Sequence, residues 1–279
     1  MSRYSEMFTG LEQRGEGAFV PFVMVGDPSA ELSEVVIEAL IAGGADALEL
    51  GVPFSDPVAD GPTIQRSHIR ALSSGADFHA CMQVVARIRQ RHPRLPIGML
   101  IYGNVPFALG LERFYAECAA AGIDSVLLPD VPVRESAPFS AAARAAGVDA
   151  VYIAPPSASP HTLDAVAKAS RGYVYAVSRV GVTGTEHASS TVGLAESVAR
   201  LRADAAAPVM LGFGISRPEQ VAEAIAAGAD GAISGSATVQ IVEAHAPALM
   251  GDRPDRAALE ALERALRDFV ATMKAATRR

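Results

Sequence analysis

A short unit made of Gly, any residue, Asp and a small residue occurs four times in the chain, and its spacing strongly constrains the fold. The four copies begin at Gly44, Gly122, Gly147 and Gly228. Each copy follows an Ala-rich helical stretch and precedes an apolar, strand-like stretch. The Gly suits a left-handed helix end and the Asp suits the turn. The second and third copies lie 25 residues apart, which matches one strand-and-helix unit of a barrel with roughly eight units in about 250 residues.

Eight apolar segments, separated by stretches with helical periodicity, are predicted to form strands. They are Ala18–Val25, Ala45–Gly51, Ile97–Tyr102, Ser125–Pro129, Ala150–Ile153, Gly172–Val177, Pro208–Gly212 and Gly231–Ser234. This alternation favours an α/β fold, a single-domain (β/α)₈ TIM barrel over residues 1–279, over an open doubly wound sheet. Ser5–Arg14 is predicted to be an extra N-terminal helix on the barrel floor, and Arg253–Lys274 a C-terminal closing helix. The repeated aspartates are then structural, because helix-to-strand turns lie opposite the chemistry.

The composition indicates a globular protein and argues against several classes of function. The chain is 50% hydrophobic and has a formal net charge of −7, which argues against binding to nucleic acid or to an anionic membrane. No apolar run approaches the roughly 18 residues needed to span a bilayer, and residues 1–17 do not resemble a signal peptide. Cys81 and Cys118 have no metal-binding spacing, which favours a reduced, cytoplasmic setting.

A carboxylate within an apolar strand is the first candidate for catalysis. Glu49 shares one strand face with Ala47 and Gly51, while Leu48 and Leu50 share the other face. A buried Glu is costly unless another group uses or satisfies it. The proline-stiffened loop that follows carries Asp56 and Asp60, and two carboxylates so placed suit general acid–base chemistry. A structural Glu followed by an ordinary polar loop is the alternative that remains at this point.

Other candidate residues lie at the ends of predicted strands, where catalytic groups of this fold gather. Phe22, Tyr102 and Tyr175 are placed to wall a flat aromatic pocket, although core packing would explain each of them equally well. Glycine loops at 212–214 and 234–236 follow the last two strands. In many barrels these loops and a helix N-terminus bind phosphate through backbone N–H groups. The segment 180–190 is long for a strand-to-helix loop and is predicted to be a lid.

Residue types that are scarce in the chain exclude other mechanisms. The only lysines are Lys168 and Lys274, both in predicted outer helices, so a Schiff-base mechanism lacks its strand-end lysine. The six histidines are scattered, which argues against a metal cluster. The two cysteines are predicted to pack inward from helices. The mechanism that remains is acid–base chemistry by carboxylates on a phosphorylated substrate, with a Tyr as a further candidate group.

Seven motifs are distinctive when they are taken together: Pro21-Phe22, Leu48–Gln65, Tyr102 with Asn104, Asp130-Val131-Pro132, Ser178–Gly184, Gly212-Phe213-Gly214-Ile215-Ser216 and Gly231–Ala237. On these motifs, the chain strongly resembles the alpha subunit family of tryptophan synthase from Phe8 to about Thr272. The family cleaves indole-3-glycerol phosphate to indole and glyceraldehyde 3-phosphate in a retro-aldol reaction. The resemblance therefore implies a carbon–carbon lyase of tryptophan biosynthesis that needs no cofactor of its own.

The resemblance also assigns roles to individual residues. It implies that Glu49, Asp60 and Tyr175 are catalytic, with Glu49 as the principal acid–base and Asp60 accepting a hydrogen bond from the indole N–H. The phosphate would be held by Gly184, Gly214, Gly235 and Ser236, and the substrate pocket would include Phe22, Tyr102, Thr183 and Phe213. Asp56, Pro57 and Asn104 would contact a tryptophan synthase beta subunit that carries pyridoxal phosphate, in an α₂β₂ tetramer.

One departure and three competing interpretations accompany the resemblance. Thr185-Glu186-His187 follow the Gly-Val-Thr-Gly motif where many relatives carry small or basic residues, which affects the expected lid. An indole-glycerol-phosphate synthase would need strand-end lysines that the chain lacks. A stand-alone indole-releasing lyase is disfavoured by the presence of Asp56 and Pro57. A catalytically inactive activator of a beta subunit is disfavoured by the presence of both Glu49 and Asp60.

Overall fold

A computed structural model describes residues 2–155, 157–177, 194–205, 207–250 and 255–279. Strands and helices alternate along these residues. The strands are β1 Ala18–Met24, β2 Leu48–Gly51, β3 Ile97–Leu100, β4 Ser125–Leu127, β5 Asp149–Val151, β6 Ile153–Ala154, β7 Val174–Val177, β8 Val209–Gly212 and β9 Gly231–Ser234. The helices are α1 Arg3–Gln13, α2 Ala30–Ala42, α3 Pro62–Ser73, α4 Phe78–Arg91, α5 Asn104–Leu109, α6 Leu111–Ala121, α7 Ala137–Ala146, α8 Pro160–Ala169, α9 Leu194–Asp204, α10 Pro218–Ala226, α11 Ser236–Leu249 and α12 Arg256–Ala275.

The strands of the described segments form one parallel sheet that is nearly closed into a barrel. Their order is β5-β4-β3-β2-β1-β9-β8-β7-β6, so the first and last strands of the chain are neighbours. The two edge strands, β5 and β6, are consecutive in the chain and are separated only by Tyr152. The predicted (β/α)₈ TIM barrel is therefore confirmed, with its fifth strand divided in two.

Hydrogen bonds of Tyr152 explain why the single predicted strand Ala150–Ile153 is interrupted. The Tyr152 N–H donates to the side chain of Ser170 at 3.3 Å instead of to a neighbouring strand. Its carbonyl accepts from the N–H of Tyr175 at 3.2 Å, so the next strand resumes the pairing with β7 immediately. The Ser170 hydroxyl thus takes the place of a strand carbonyl as the acceptor for Tyr152. The N–H of Tyr152 stays paired, so the strand is interrupted at this residue while the barrel stays closed around it.

Side chains of the strands alternate between an inner and an outer core, as expected for strands covered by helices. In the segment around β2, Ala47 belongs to the inner cluster, whereas Leu48 and Leu50 pack in the outer cluster against the helices. Helix α1 contributes Tyr4 and Leu11 to the inner cluster. The predicted N-terminal plug on the barrel floor is thus confirmed, and it begins two residues before the predicted Ser5.

The repeated Asp residues stabilise the floor of the barrel, as the sequence predicts. Asp46, Asp124 and Asp230 each accept a hydrogen bond at 2.8–2.9 Å from a backbone N–H near the start of a neighbouring strand. The Gly residues of the four repeated units all have positive φ, from 74° to 97°, which only glycine adopts without strain. The Gly of each unit therefore ends a helix, and the Asp of three units fixes the start of a strand on the face opposite the predicted site.

Helix α12, Arg256–Ala275, closes the barrel from the outside and corresponds to the predicted closing helix Arg253–Lys274. It begins later than predicted because Asp255 caps its N-terminus by accepting from the N–H of Ala257, and residues 253 and 254 lie outside the described ranges. One face of the helix buries Leu262, Leu266, Val270 and Met273. Lys274 at its end lies 3.0 Å from Asp46 and 3.1 Å from Glu16, so this lysine forms ion pairs at the floor of the barrel. Among the helices that the structure describes, none has both the length and the apolar character to cross a bilayer.

Candidate active site

Glu49 lies in the middle of β2 and is almost completely buried, with 2% of its surface exposed. The Tyr173 hydroxyl donates a hydrogen bond to its Oε1 atom at 2.8 Å. Burial disfavours the charged carboxylate and raises the pKa of Glu49 to about 7, although the bond from Tyr173 acts in the opposite direction. A carboxyl group with such a pKa both gives and accepts a proton readily near neutral pH.

Tyr173, the hydrogen-bond partner of the predicted catalytic Glu49, is a residue that the sequence reasoning missed. Its ring packs edge-on against the ring of Tyr4 from α1, with centroids 5.4 Å apart. The Tyr4 hydroxyl in turn forms a hydrogen bond with Ser125 at 2.9 Å. Tyr173 precedes the predicted catalytic Tyr175 by two residues, so both side chains belong to the same strand face. That spacing was the signal available in the sequence.

Asp60 lies just before α3 and is 6% exposed. Its Oδ2 atom accepts a hydrogen bond from the Tyr102 hydroxyl at 2.8 Å and lies 3.2 Å from Nε2 of His68. Tyr102, predicted as a pocket wall, also stacks on Phe54 with ring centroids 5.2 Å apart. Within the described ranges, Oδ1 of Asp60 has no hydrogen-bond partner. One oxygen of this carboxylate is thus held by the protein and the other remains for a ligand.

Tyr175 on β7 lies close enough to both acids to interact with their charges. Burial, and then the carboxylates of Glu49 and Asp60, raise the pKa of its hydroxyl well above the ordinary value. A side chain at Gly212 would overlap this hydroxyl, so the glycine at the end of β8 makes room for it. Among the residues described, no hydrogen-bond partner reaches the Tyr175 hydroxyl, which leaves it as a neutral donor in a buried site.

Phe213 and Gly214 form a constrained turn directly after β8. Phe213 has a φ of 67°, which is uncommon for a residue other than glycine and often marks a functional site. Its ring lies edge-on to Tyr175 at 6.1 Å. Gln220 holds the turn, because its side chain donates to the Gly214 carbonyl at 2.7 Å and accepts from the N–H of Ser216 at 2.9 Å. Sequence reasoning did not identify Gln220.

The two predicted phosphate loops are joined to each other. The Ser234 hydroxyl at the end of β9 donates to the carbonyl of Ile215 at 2.7 Å. Gly235 then precedes the first turn of the 14-residue helix α11, which begins at Ser236. The N–H groups of a first helical turn have no partner within the helix, and such an end favours an anion. Gly214, Gly235 and Ser236 therefore lie in one region suited to phosphate.

Phe22 connects this region with the strand that carries Glu49. A Cβ atom at Gly235 would lie 3.8 Å from the Phe22 ring, and one at Gly51 would lie 2.7 Å from it. Strand β1 places Phe22 opposite Glu49 in the parallel register. The ring therefore lies between the phosphate loops and the end of β2. Its place is consistent with the predicted pocket, whose occupation by a substrate stays a prediction.

Several predicted residues lie outside the described ranges or away from the acids. Thr183 and Gly184 belong to 178–193, as do the predicted lid and Thr185-Glu186-His187, so all of these stay predictions. Asp56 and Asn104 are exposed and Pro57 is partly exposed. Near them in the chain, Val58 and Phe107 are 77% and 79% exposed. Across the described segments, no three metal-ligating side chains are grouped to hold an ion.

Comparison with known proteins identifies the family. Residues 8–274 match the model of the family described as tryptophan synthase alpha chain. The chain is 56% identical to the tryptophan synthase alpha chain of Corynebacterium efficiens, over the full length of both proteins. It is 52% identical to that of Aliivibrio fischeri, again over the full length of both.

Solved structures agree with this assignment. The tryptophan synthase structure from Mycobacterium tuberculosis superposes with a TM-score of 0.84 and 31% identity, covering 100% of this chain and 99% of that one. The tryptophan synthase subunit alpha from Legionella pneumophila superposes with a TM-score of 0.83 and 28% identity, covering 99% and 98%. Sequence and fold thus agree over essentially the whole length, and the chain belongs to the tryptophan synthase alpha chain family.

Proposed function

We propose that Glu49, Asp60 and Tyr175 perform the reaction of the tryptophan synthase alpha chain family in this protein. That reaction, a carbon–carbon cleavage in tryptophan biosynthesis, splits indole-3-glycerol phosphate into indole and glyceraldehyde 3-phosphate. The observation that carries the assignment of residues is the buried carboxyl group of Glu49, whose pKa is raised to about 7. It lies in one site with an aspartate that has one oxygen without a hydrogen-bond partner within the described ranges.

Proton transfer to the indole ring is the first step. The protonated carboxyl of Glu49 gives its proton to the ring carbon that bears the glycerol chain. The electron pair for the new C–H bond comes from the ring double bond, and the nitrogen lone pair replaces it, so that positive charge develops on the nitrogen. Asp60 accepts a hydrogen bond from the N–H through Oδ1 and stabilises this charge. Because the ring accepts electrons in this way, no lysine is needed.

Cleavage of the carbon–carbon bond follows. The Glu49 carboxylate takes the proton of the hydroxyl on the carbon attached to the ring, the carbonyl of glyceraldehyde 3-phosphate forms, and the bond to the ring breaks. Its electrons return to the ring and restore neutral indole, which leaves Glu49 protonated for the next cycle. The Tyr175 hydroxyl stays protonated and acts as a hydrogen-bond donor to the reacting oxygen. A well-placed acid–base group of this kind typically contributes about 10²–10⁴-fold in rate.

Substrate phosphate is proposed to bind at the joined loops after β8 and β9. Gly214, Gly235 and Ser236 would supply backbone N–H groups, and the start of α11 would supply its dipole. Gly184 is proposed to add a further contact. Phe22 would then pack against the indole between the phosphate loops and Glu49. These contacts hold the substrate at both ends, so the reacting bond is fixed against the two acids.

A beta subunit is the proposed partner, and it would consume the indole with pyridoxal phosphate in an α₂β₂ tetramer. The alpha chain family has no cofactor of its own. Asp56, Pro57 and Asn104 are the proposed contacts, supported by the exposed apolar side chains of Val58 and Phe107 beside them in the chain. A cytoplasmic location is also proposed, because the two cysteines are free and buried rather than paired.

Release of indole from the purified chain tests the proposal. Indole-3-glycerol phosphate is added with and without a beta subunit, and indole is measured by its absorbance after extraction. The wild-type chain should release indole, whereas Glu49→Gln should bind the substrate and release almost none. The wild-type kcat/KM should also fall as the pH rises through about 7, because free Glu49 must be protonated to start the reaction. Near-normal turnover by Glu49→Gln would refute the assigned role.

A further inference from the structure

His68 lies on α3 and makes two hydrogen bonds that fix its ring. It is buried, with 2% of its surface exposed. Its Nε2 atom lies 3.2 Å from Oδ2 of Asp60, and its Nδ1 atom lies 2.9 Å from the backbone N–H of Phe54. The ring edge also contacts Tyr102 at a centroid distance of 6.2 Å. Both ring nitrogens are therefore used, and one of them contacts a residue assigned to catalysis.

The bond from Phe54 determines which nitrogen of His68 carries the proton. A backbone N–H can only donate, so Nδ1 must accept and cannot carry a hydrogen. The proton of the neutral ring is then on Nε2, which donates to Asp60. A ring in the opposite tautomer would place a hydrogen against the Phe54 N–H and a lone pair against the Asp60 carboxylate. The backbone of the loop before Asp60 thus selects a donor for Asp60.

We propose that His68 is a positioning residue for Asp60, which holds Oδ2 through its Nε2–H so that Oδ1 remains for the N–H of the indole ring. Tyr102 donates to the same oxygen at 2.8 Å. Two donors from different elements, α3 and the segment after β3, define the plane of the carboxylate, whereas a single donor would allow it to rotate. This inference rests on the function proposed above for Asp60.

The loop that ends at Asp60 reinforces the arrangement. Ala59 donates its backbone N–H to the Tyr102 hydroxyl at 3.0 Å, as Phe54 does to His68. Gln65 donates from its side chain to the Asp60 carbonyl at 2.7 Å. Each donor to the carboxylate is therefore itself oriented by the backbone on the N-terminal side of Asp60. Such support of a reacting group by a second layer of hydrogen bonds is what preorganisation requires.

Two substitutions separate the hydrogen bond from the packing of the ring. His68→Phe keeps a planar ring of similar size and removes the donor, whereas His68→Gln carries an amide N–H about as far from the backbone as Nε2. Removal of a hydrogen bond to a charged group typically changes a rate or equilibrium constant by roughly tenfold or more. We expect kcat of His68→Phe to fall by about tenfold, with KM changed by less than about threefold because the phosphate contacts remain. His68→Gln should keep kcat within about threefold of wild type.

Nitrogen-15 NMR of the full-length wild-type chain gives an independent readout. The resonances of His68 should show Nδ1 without a proton and Nε2 with one, and the Nε2–H signal should move in Asp60→Asn. A folded His68→Phe enzyme with unchanged kcat would overturn the inference, as would a slow His68→Gln enzyme or a protonated Nδ1. If the wild-type chain released no indole, the proposed function would fail, while the NMR experiment would still decide whether His68 donates to Asp60.

Discussion

Replacement of Glu49 by Gln is expected to reduce the pH dependence of the free energy of unfolding. Folding raises the pKa of this carboxyl from its ordinary value of 4.5 to about 7, so between these values the folded protein binds a proton that the unfolded chain has released. The free energy of unfolding therefore falls as the pH rises through this range. At about 1.4 kcal/mol per pH unit, the raised pKa corresponds to a loss of roughly 3 kcal/mol above pH 7.

The amide introduced by Glu49→Gln remains neutral at every pH, so the variant should escape this loss. About 2.5 kcal/mol of the loss in unfolding free energy occurs between pH 5 and pH 8, when the titration of Glu49 is counted in both the folded and the unfolded state. Relative to wild type, Glu49→Gln should be similarly stable at pH 5 and should gain about 2.5 kcal/mol by pH 8. Glu49 is buried, so screening by solvent does not greatly reduce this difference in stability.

Urea unfolding at the two pH values measures the effect directly, because the midpoint shifts while the denaturant slope stays constant. Glu12→Gln is the matched control: Glu12 is an exposed glutamate on α1, so its substitution should leave the pH dependence unchanged. If Glu49→Gln and wild type lose stability in parallel between pH 5 and pH 8, burial does not raise the pKa of Glu49 and the proposed acid is ionised at neutral pH.

Three further predictions concern activity and binding. Tyr173→Phe removes the donor to Glu49, so the pKa of Glu49 should rise and the alkaline limb of the kcat/KM profile should move to higher pH; a limb that does not move would contradict the hydrogen bond. Gly235→Asp places a charge beside the proposed phosphate site and should raise the substrate Kd by about tenfold, the effect of roughly 1.4 kcal/mol of repulsion; calorimetry with an unchanged Kd would count against the site. Gly212→Ala forces the Tyr175 hydroxyl to move and should lower kcat by about tenfold, which is the scale of one lost hydrogen bond. A normal kcat in this variant would show that Tyr175 takes no part in the reaction.

A glycine away from the site is the control for the two glycine variants. Gly10 lies within α1, and a Cβ atom there would meet only the end of the Arg14 side chain, at 3.5 Å. Gly10→Ala should therefore leave both kcat and Kd unchanged and should slightly stabilise the helix, by up to about 1 kcal/mol. A loss of activity in this variant would show that the assays respond to general destabilisation.

The sequence predicted the residues whose signal is local. Glu49 is a carboxylate within an apolar run, and the glycine loops follow apolar strands, so both are readable without knowledge of distant contacts. Strand bounds were less accurate because hydrogen bonds, not hydropathy, decide them. The predicted strand from Ala45 begins at Leu48 instead, since the Ala45 N–H still donates to the Leu40 carbonyl at the end of α2.

The residues that support the proposed catalytic groups could not be predicted in the same way. Tyr173 and Glu49 are 124 residues apart in the chain, and the pair meets only because β7 and β2 line the same barrel. Gln220 acts on a turn that precedes its own helix, and Ser234 reaches a carbonyl 19 residues earlier. A polar side chain in such a position looks like any other helix or strand residue until the fold supplies its partner.

The two carboxylates of the site differ in the way that the proposed reaction requires. Glu49 has a single hydrogen-bond donor and almost no exposure, so burial dominates and the group retains its proton near neutral pH. Asp60 has two donors at one oxygen, which suits a group that faces a developing positive charge. This difference in burial and hydrogen bonding fits the roles proposed for Glu49 as proton carrier and for Asp60 as charge stabiliser. The burial that weakens the fold above pH 7 is therefore the same feature that lets Glu49 carry the proton.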